Sequence, residues 1–323
     1  MLLEIRHHTE YRYAEPIRES LMELRMQPQK TARQRLISYE LTVDPAAQVF
    51  AYADNYGNTV QHFDVPYPHD RLTISARTLV ETSTPPPLPA YLDRAEWDHL
   101  SSEQVRGDWF DFLLPQGYTA ITEKLAAFSK DLGLNNPRSA DPLTAVQRLC
   151  TTLYEELAYT PGVTEADSPI DHALDQRSGV CQDFSHIMIA LCRQWGVPAR
   201  YVSGYLYTDR EADRSRPDAT HAWVEAYFPS LRWVGFDPTN ILVAGERHVA
   251  VGWGRDYSDV PPSRGVYKGD VESELFVAVS TGPTSEVERD LELVRIGSPR
   301  AGKDGRAQPD AAYREYQQQQ QQA

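Results

Sequence analysis

The stretch SGVCQDFSHIMIALCRQWG, residues 178–196, sets a cysteine at the start of a strongly periodic apolar segment. Apolar side chains recur in it every three or four positions, as they do along one face of an α-helix. Gly196, followed closely by Pro198, is a typical helix end. Cys181 therefore lies at a helix start, where free amide groups and the positive end of the helix dipole favour a thiolate. The stretch predicts a reactive cysteine at a helix N-terminus.

A cysteine nucleophile needs a histidine to accept its proton, and the sequence offers one in a hairpin. Residues 220–228 and 232–236 alternate as two strands do. Pairing through a tight loop sets His221 opposite Asp237 or its neighbour. Directly opposed side chains have Cβ atoms roughly 4.5–5.5 Å apart, close enough for a carboxylate to fix the tautomer of an imidazole. We therefore predict a triad in which Cys181 is the nucleophile, His221 the base and Asp237 the orienting group.

Several motifs together resemble those of the bacterial branch of the transglutaminase-like superfamily. They are Ser178-Gly-Val-Cys-Gln-Asp-Phe-Ser-His186, Gly196-Val-Pro-Ala-Arg-Tyr-Val-Ser-Gly-Tyr205, His221-Ala-Trp-Val-Glu225, Phe236-Asp-Pro-Thr239 and Arg255-Asp-Tyr-Ser-Asp-Val-Pro261. The resemblance covers roughly residues 150–280 and implies a papain-like fold. It implies the same catalytic roles for Cys181, His221 and Asp237. Residues 1–85 are similar to the β-rich N-terminal region that such bacterial proteins often carry.

Hydrophobic periodicity predicts an α+β protein in four segments. Period-two alternation begins at Leu3 and recurs to about residue 82, whereas helical periodicity follows Asp141-Pro142. The prolines of residues 85–89 interrupt any strand or helix between these regions. The expected segments are an antiparallel β-sandwich domain (1–85), a proline-containing linker and helical connection (86–140), a transglutaminase-like core with the catalytic helix packed on an antiparallel sheet (141–296), and a disordered Gln-rich tail (297–323).

Composition narrows the function classes. Hydrophobic residues make up 41% and charged residues 24% of the 323 residues, which is ordinary globular usage. The charged N-terminus and the lack of a long apolar run predict a cytoplasmic protein without a membrane span. Three cysteines do not suit a disulfide framework, so we expect reduced thiols. A net charge of −14 argues against nucleic acid and against an anionic membrane. We expect a peptide or protein substrate and no cofactor or metal, with the oligomeric state open.

The remaining candidate residues have two interpretations each. Gln182 lines the oxyanion site or is a solvated helix residue, and Trp223 shapes a substrate groove, as Trp253 would, or fills the core. Asp256 holds a strand end or binds substrate, and residues 208–219 form a lid or a solvated loop. The interpretation for the other residues near the helix is simpler: packing for Cys150 and Cys192, and capping or supporting roles for Asp183 and His186.

Two other classes of protein compete with the cysteine enzyme. A metal enzyme could draw on Cys181 with His172, His186 and His221, but no CxxC or HExxH motif occurs. A binding module that keeps the fold would not need a complete triad or a reactive thiol. Within the enzyme class, a thioester resolved by water gives a peptidase or amidase, and one resolved by an amine gives a crosslinking transglutaminase. A cytoplasmic location favours water, because indiscriminate crosslinking would harm a cell.

Overall fold

The alternating residues at the start of the chain form a strand of 16 residues, Leu2–Ile17, with Leu3 and Ile5 fully buried. It is the first element of a computed structural model that describes residues 1–165, 167–208, 213–215, 219–284 and 294–296. On its opposite face Glu4 accepts hydrogen bonds from Arg6 and Arg77, so that this acidic residue is buried without losing its polar partners.

The strands follow the chain in this order: β1 Leu2–Ile17, β2 Ser20–Leu24, β3 Gln34–Asp44, β4 Phe50–Ala53, β5 Thr59–Val65, β6 His69–Thr82, β7 Ala158–Tyr159, β8 Ser178–Gly179, β9 Ala199–Leu206, β10 His221–Phe228, β11 Arg232–Asp237, β12 Leu242–Val243, β13 His248–Gly254, β14 Ser263–Tyr267, β15 Ser273–Pro283 and β16 Val294–Ile296. The α-helices are α1 Glu96–Leu100, α2 Glu103–Asp108, α3 Glu123–Asp131, α4 Pro142–Glu156, α5 Ile170–Gln176 and α6 Cys181–Gln194.

The predicted β-rich N-terminal domain is confirmed as two antiparallel sheets. Their strand orders are β16-β15-β1-β6-β3 and β14-β2-β5-β4. Side chains from both sheets, among them Leu3, Leu24 and Phe63, share one hydrophobic core. The alternating apolar residues identified in the sequence are the ones that face this core, because alternate side chains of a strand point to opposite faces.

Strands β14, β15 and β16, which follow the site sheet in the chain, also belong to these N-terminal sheets, which the sequence did not predict. Strand β15 pairs along β1, with Leu3 level with Pro283, and β14 pairs with β2. Residues 141–296 therefore do not form one separate core. A strand pattern gives a strand but not its partner, since any free sheet edge offers the same backbone groups. Residues 294–296 form β16, whereas residues 291–293 and the predicted tail 297–323 lie outside the described residues.

A third sheet, ordered β12-β11-β10-β9-β13, contains the predicted hairpin of β10 and β11. Helix α6 packs against β10 and β9 on one face of this sheet. On its other face Tyr205, Val249 and Val251 belong to the core of the β domain. The sheet thus lies between a helical layer and the β domain, which confirms an α+β architecture with a helix packed on an antiparallel sheet.

The two helices predicted from periodicity are confirmed. Helix α4 begins after Asp141, whose carboxylate accepts the Thr144 N–H at 3.1 Å. Helix α6 ends at Gln194, and Gly196 has φ +80°, the left-handed conformation that glycine adopts readily. Within the described ranges, no helix is both long and apolar enough to cross a membrane.

Candidate active site

Cys181 is the first residue of α6, as the sequence predicted. The residue is 8% exposed, so it is largely buried. The amide groups of the first helical turn have no partner within the helix and lie beside this residue. A thiol here sits near backbone donors and the positive end of the helix dipole.

The turn before Cys181 is held by Asp183. This carboxylate accepts the N–H of Val180 at 2.8 Å and the hydroxyl of Thr164 at 2.6 Å. A side chain at Gly179 would bring its Cβ within 2.6 Å of the Asp183 carboxylate, so only glycine fits there. Burial raises the pKa of Asp183 to about 6. Asp183 thus caps the helix and fixes the cysteine, the supporting role that the sequence suggested.

His221 and Asp237 form a buried hydrogen-bonded pair. Nε2 of His221 lies 2.8 Å from Oδ2 of Asp237, and the two side chains are 3% and 0% exposed. Because Nε2 is occupied by the carboxylate, Nδ1 is the ring nitrogen left for other groups. It lies 3.2 Å from the hydroxyl of Ser215. The side chain of Cys181 also interacts with this ring and favours its charged form.

The register of the hairpin differs from the predicted one. Val224 pairs with Phe236 and Phe228 with Arg232 across the loop of residues 229–231. One more step along this register sets Asp237 level with Trp223, so His221 and Asp237 are diagonal neighbours and not directly opposed. The loop consists of the expected residues 229–231, but the strands pair up to Phe228 and Arg232, and Arg232 takes φ +65° where the loop closes. Diagonal neighbours on one face remain within reach of long side chains, which is why the pair still forms.

The Asp237 carboxylate is surrounded by donors. Oδ1 accepts the backbone N–H groups of Thr239 and Asn240 at 3.0 and 3.2 Å. Oδ2 accepts the Asn240 amide at 2.8 Å and faces Nε2 of His248 at 3.2 Å, in addition to His221. A buried carboxylate with this many donors is held as an anion in one orientation.

The pKa values of His221 and Asp237 are shifted in opposite directions. Burial alone would lower the pKa of His221, but Asp237 and Cys181 outweigh burial and raise that pKa well above its ordinary value. Burial alone would raise the pKa of Asp237, but the imidazoles of His221 and His248 hold that pKa well below its usual range. The arrangement favours an imidazolium beside a carboxylate, which is the state that can stabilise a thiolate.

Sequence reasoning missed Ser215, Asn240 and His248. Asn240 follows Asp237 by three residues, and an Asp whose carboxylate takes nearby backbone N–H groups is a recognisable turn signal. It also donates to Ser215 at 2.8 Å, which links the loop before β10 to the pair. No local pattern distinguishes His248 at the start of β13, because its partner is set by the pairing of separate strands.

The two residues proposed to line the site are both buried. Gln182 is 2% exposed, so the alternative of a solvated helix residue is wrong; its role at an oxyanion remains a prediction. Trp223 is also 2% exposed and packs on His221 and His248, with ring centroids 6.1 and 5.1 Å away. A Cβ at Gly204 would lie 2.8 Å from its indole, so glycine makes room for this ring.

Trp223 also borders a cavity of about 430 Å³ between the β domain and the site sheet. Gln34 and Thr82 line it from the β domain, whereas Trp233 and His248 line it from the sheet. Trp253 borders the same cavity and stacks on the guanidinium of Arg200 at 4.1 Å. The cavity lies against His248 and not against Cys181, so it does not decide between core and groove roles for Trp223.

The other candidates have structural partners. Nε2 of His186 accepts the Tyr257 N–H at 3.2 Å, and its ring stacks on Tyr118. Asp256 accepts the Ser258 N–H at 2.9 Å and so caps the 3-10 helix Tyr257–Asp259, a local structural role. Residues 209–212 and 216–218 of the predicted lid or loop lie outside the described residues.

Cys150 and Cys192 pack as predicted in the helical core. Both are free thiols in apolar surroundings, where burial raises the pKa of Cys192 to about 12 and that of Cys150 further. A thiol that stays protonated is a poor nucleophile, so neither is a candidate nucleophile.

The residues that could hold a metal ion differ from the set considered in the sequence analysis. Among the described residues, His221, Asp237 and His248 offer ligand atoms within 4.8 Å of one another. Hydrogen bonds already join His221 and His248 to the carboxylate between them. His172 and His186 do not join this group. The contacts are those of an acid–base network, and we assign no metal to it.

Two family models match this chain, and several known proteins are similar to it in sequence. Residues 3–81 match the model of the bacterial transglutaminase-like N-terminal region, and residues 134–238 match that of the transglutaminase-like superfamily. An uncharacterized protein of Mycobacterium leprae is 35% identical over 279 residues, or 86% of this chain and 97% of that protein. A protein-glutamine gamma-glutamyltransferase of Pseudomonas aeruginosa is 39% identical over 101 residues, or 29% of this chain and 15% of that enzyme.

A solved structure shares the fold over nearly the full length. It is that of a proposed cysteine protease from Cytophaga hutchinsonii, with a TM-score of 0.65 at 21% identity. The match covers 94% of this chain and 96% of that one. At this level of identity the likeness concerns the fold alone.

Proposed function

Because the chain belongs to the transglutaminase-like superfamily, we propose that it is a cysteine enzyme that takes acyl groups from peptide or glutamine-type amides. One observation carries the proposal: a buried His221–Asp237 hydrogen bond of 2.8 Å, whose histidine interacts with a cysteine at a helix start. This combination supplies a nucleophile, a base and an orienting carboxylate in adjacent positions.

The proposed chemistry involves Nδ1 of His221 and the sulfur of Cys181. Nδ1 of His221 takes the thiol proton, and the Cys181 sulfur attacks the amide carbonyl carbon. Backbone N–H groups at the start of α6 are suited to stabilise the oxyanion. The C–N bond then breaks, the imidazolium gives its proton to the leaving amine, and a thioester remains on Cys181. Asp237 stays ionised throughout and stabilises the imidazolium.

Water is the acceptor that we propose for the thioester. His221 removes a proton from the water, whose oxygen attacks the thioester carbon and displaces the Cys181 thiolate to give a carboxylic acid. The sequence prediction of a cytoplasmic enzyme favours this outcome and is itself untested. Transfer to a lysine-type amine is the second candidate, because a relative that matches 101 residues is named a protein-glutamine gamma-glutamyltransferase.

The test is intact-mass detection of an acyl adduct on Cys181 during incubation with a glutamine-containing peptide, followed by competition between water and a labelled amine. Cys181→Ala should give no adduct and no turnover, whereas Cys192→Ala serves as a matched cysteine control away from the site. Incorporation of the labelled amine into the product would favour transfer over hydrolysis. Full activity in Cys181→Ala would refute the proposed enzyme.

A non-catalytic binding module is distinguished by thiol reactivity. Such a module would leave Cys181 no more reactive toward iodoacetamide at neutral pH than an ordinary exposed cysteine. The proposed enzyme should alkylate at Cys181 while Cys150 and Cys192 stay unmodified in the folded protein, which peptide mapping by mass spectrometry would reveal.

A further inference from the structure

His248 shares one carboxylate oxygen with His221. Its Nε2 lies 3.2 Å from Oδ2 of Asp237, and Nε2 of His221 lies 2.8 Å from the same atom. The two imidazoles reach it from different strands, β13 and β10, on either side of β9 in the sheet. The carboxylate of Asp237 is thus held between two histidines, and His221 also interacts with Cys181.

The backbone fixes which nitrogen of His248 carries the proton. The N–H of Gly245 points to Nδ1 of His248 at 3.2 Å, so Nδ1 is the acceptor. A neutral imidazole that accepts at Nδ1 carries its proton on Nε2. That N–H faces Oδ2 of Asp237 at 3.2 Å. Burial, together with His221 and Arg247, lowers the pKa of His248 more than Asp237 raises it, which agrees with a neutral ring.

The groups that influence the pKa of this ring are Asp237 and His221, on β11 and β10 of the same sheet, and Arg247, which precedes it in the chain. Arg247 is itself paired with Asp213 at 2.7 Å. The Trp223 indole packs edge-on against His248, with centroids 5.1 Å apart. The hydrogen bond to Asp237 is therefore the main polar influence that His248 exerts on the site.

A donor on a carboxylate draws on the negative charge that a second donor would otherwise use. We propose that His248 is a positioning residue that sets the proton affinity of His221 by donating its Nε2–H to the shared Oδ2 of Asp237. Without this hydrogen bond, Asp237 would hold the His221 proton more tightly and the imidazolium would release it less readily to a leaving amine. The inference rests on the proposed function for its catalytic meaning but not for its test.

Two substitutions separate this role from packing. His248→Phe keeps a ring against Trp223 but removes the donor, whereas His248→Gln removes the ring but can return an amide N–H to the position of Nε2. A packing role predicts that Phe resembles the wild type and that Gln does not. The proposed role predicts the reverse. Thermal unfolding of both variants reports any loss of stability separately.

The decisive readout is the titration of His221, followed by histidine ring NMR against pH. In His248→Phe the midpoint should rise by on the order of one pH unit, the size that one hydrogen bond to a charged group produces. In His248→Gln it should return toward the wild-type value. A midpoint that is unchanged in His248→Phe, or that shifts only in His248→Gln, overturns the proposal.

The wild-type protein gives a second test that no folding defect can obscure. Ring nitrogen chemical shifts should identify His248 as the neutral Nε2–H form between pH 5 and 8. A proton on Nδ1, or a charged ring, overturns the proposal. Neither measurement needs a substrate, so an unreactive Cys181 would refute the proposed function and leave this inference to be judged by NMR alone.

Discussion

Replacing Asp237 with Asn should disable the site by removing the charge that keeps His221 protonated. The pKa of His221 is raised from 6.5 to about 10, with burial opposing the rise and Asp237 the largest group producing it. Without the carboxylate, burial is left to lower the pKa, and we expect a value at or below 6.5. A histidine with a pKa of 6.5 is only about one-tenth protonated at pH 7.5. The imidazolium that would stabilise a Cys181 thiolate is then mostly lost.

The assay is the rate of Cys181 alkylation by iodoacetamide as a function of pH. At pH 7.5 the Asp237→Asn variant should react at least about tenfold more slowly than the wild type, and amide turnover should fall further, because the neutral amide can also favour the wrong tautomer of His221. Asp141→Asn is a matched control, since it changes a buried carboxylate that caps α4 away from the site. An alkylation profile that coincides with the wild type in a folded Asp237→Asn protein would refute the reasoning.

Three further predictions concern stability. Gly179→Ala should lower the free energy of unfolding by about 1–3 kcal/mol, because its Cβ would lie within 2.6 Å of Asp183. The control Gly107→Ala in α2, with no atom within 4 Å of the added Cβ, should be neutral or slightly stabilising. Urea unfolding measures both variants, and equal changes in their free energies of unfolding would contradict this prediction. In the same assay, Arg193→Leu should lower the free energy of unfolding by on the order of 3 kcal/mol, because the Arg193 guanidinium donates to backbone carbonyl groups of several separate segments. A decrease below about 1 kcal/mol would argue against that role. Since the pKa of His221 is raised on folding from 6.5 to about 10, its contribution is complete below pH 6.5 and is lost as the pH rises toward 10. The wild type should therefore lose a few kcal/mol of stability between pH 6.5 and 10, because each pH unit between the unfolded and folded pKa values corresponds to about 1.4 kcal/mol. A His221→Gln variant should lose much less, and parallel pH curves for the two proteins would count against the raised pKa.

Much of the local structure could be predicted. The strands of the β domain, helix α4 with its Asp141 cap, and the start of α6 at Cys181 are each decided by neighbours in the chain. Periodicity, capping residues and helix-ending glycines act over a few positions, so a single sequence carries them. The pairing of His221 with Asp237 was also within reach, because a short hairpin joins the two. Its exact register was not, because the register depends on how the loop of residues 229–231 closes, here with Arg232 at positive φ.

Local sequence patterns were enough to identify the residues that could supply the chemistry: a cysteine at a helix start, and a histidine and an aspartate in one hairpin. The groups that surround them depend on long-range strand pairing. His248 reaches Asp237 because β13 joins the sheet beside β9, and β14 and β15 return to the β domain, where they pair with β2 and β1. Such contacts join residues far apart in the chain, and their partners depend on which sheet edges and cavities remain after the rest has folded, so local periodicity carries no record of them.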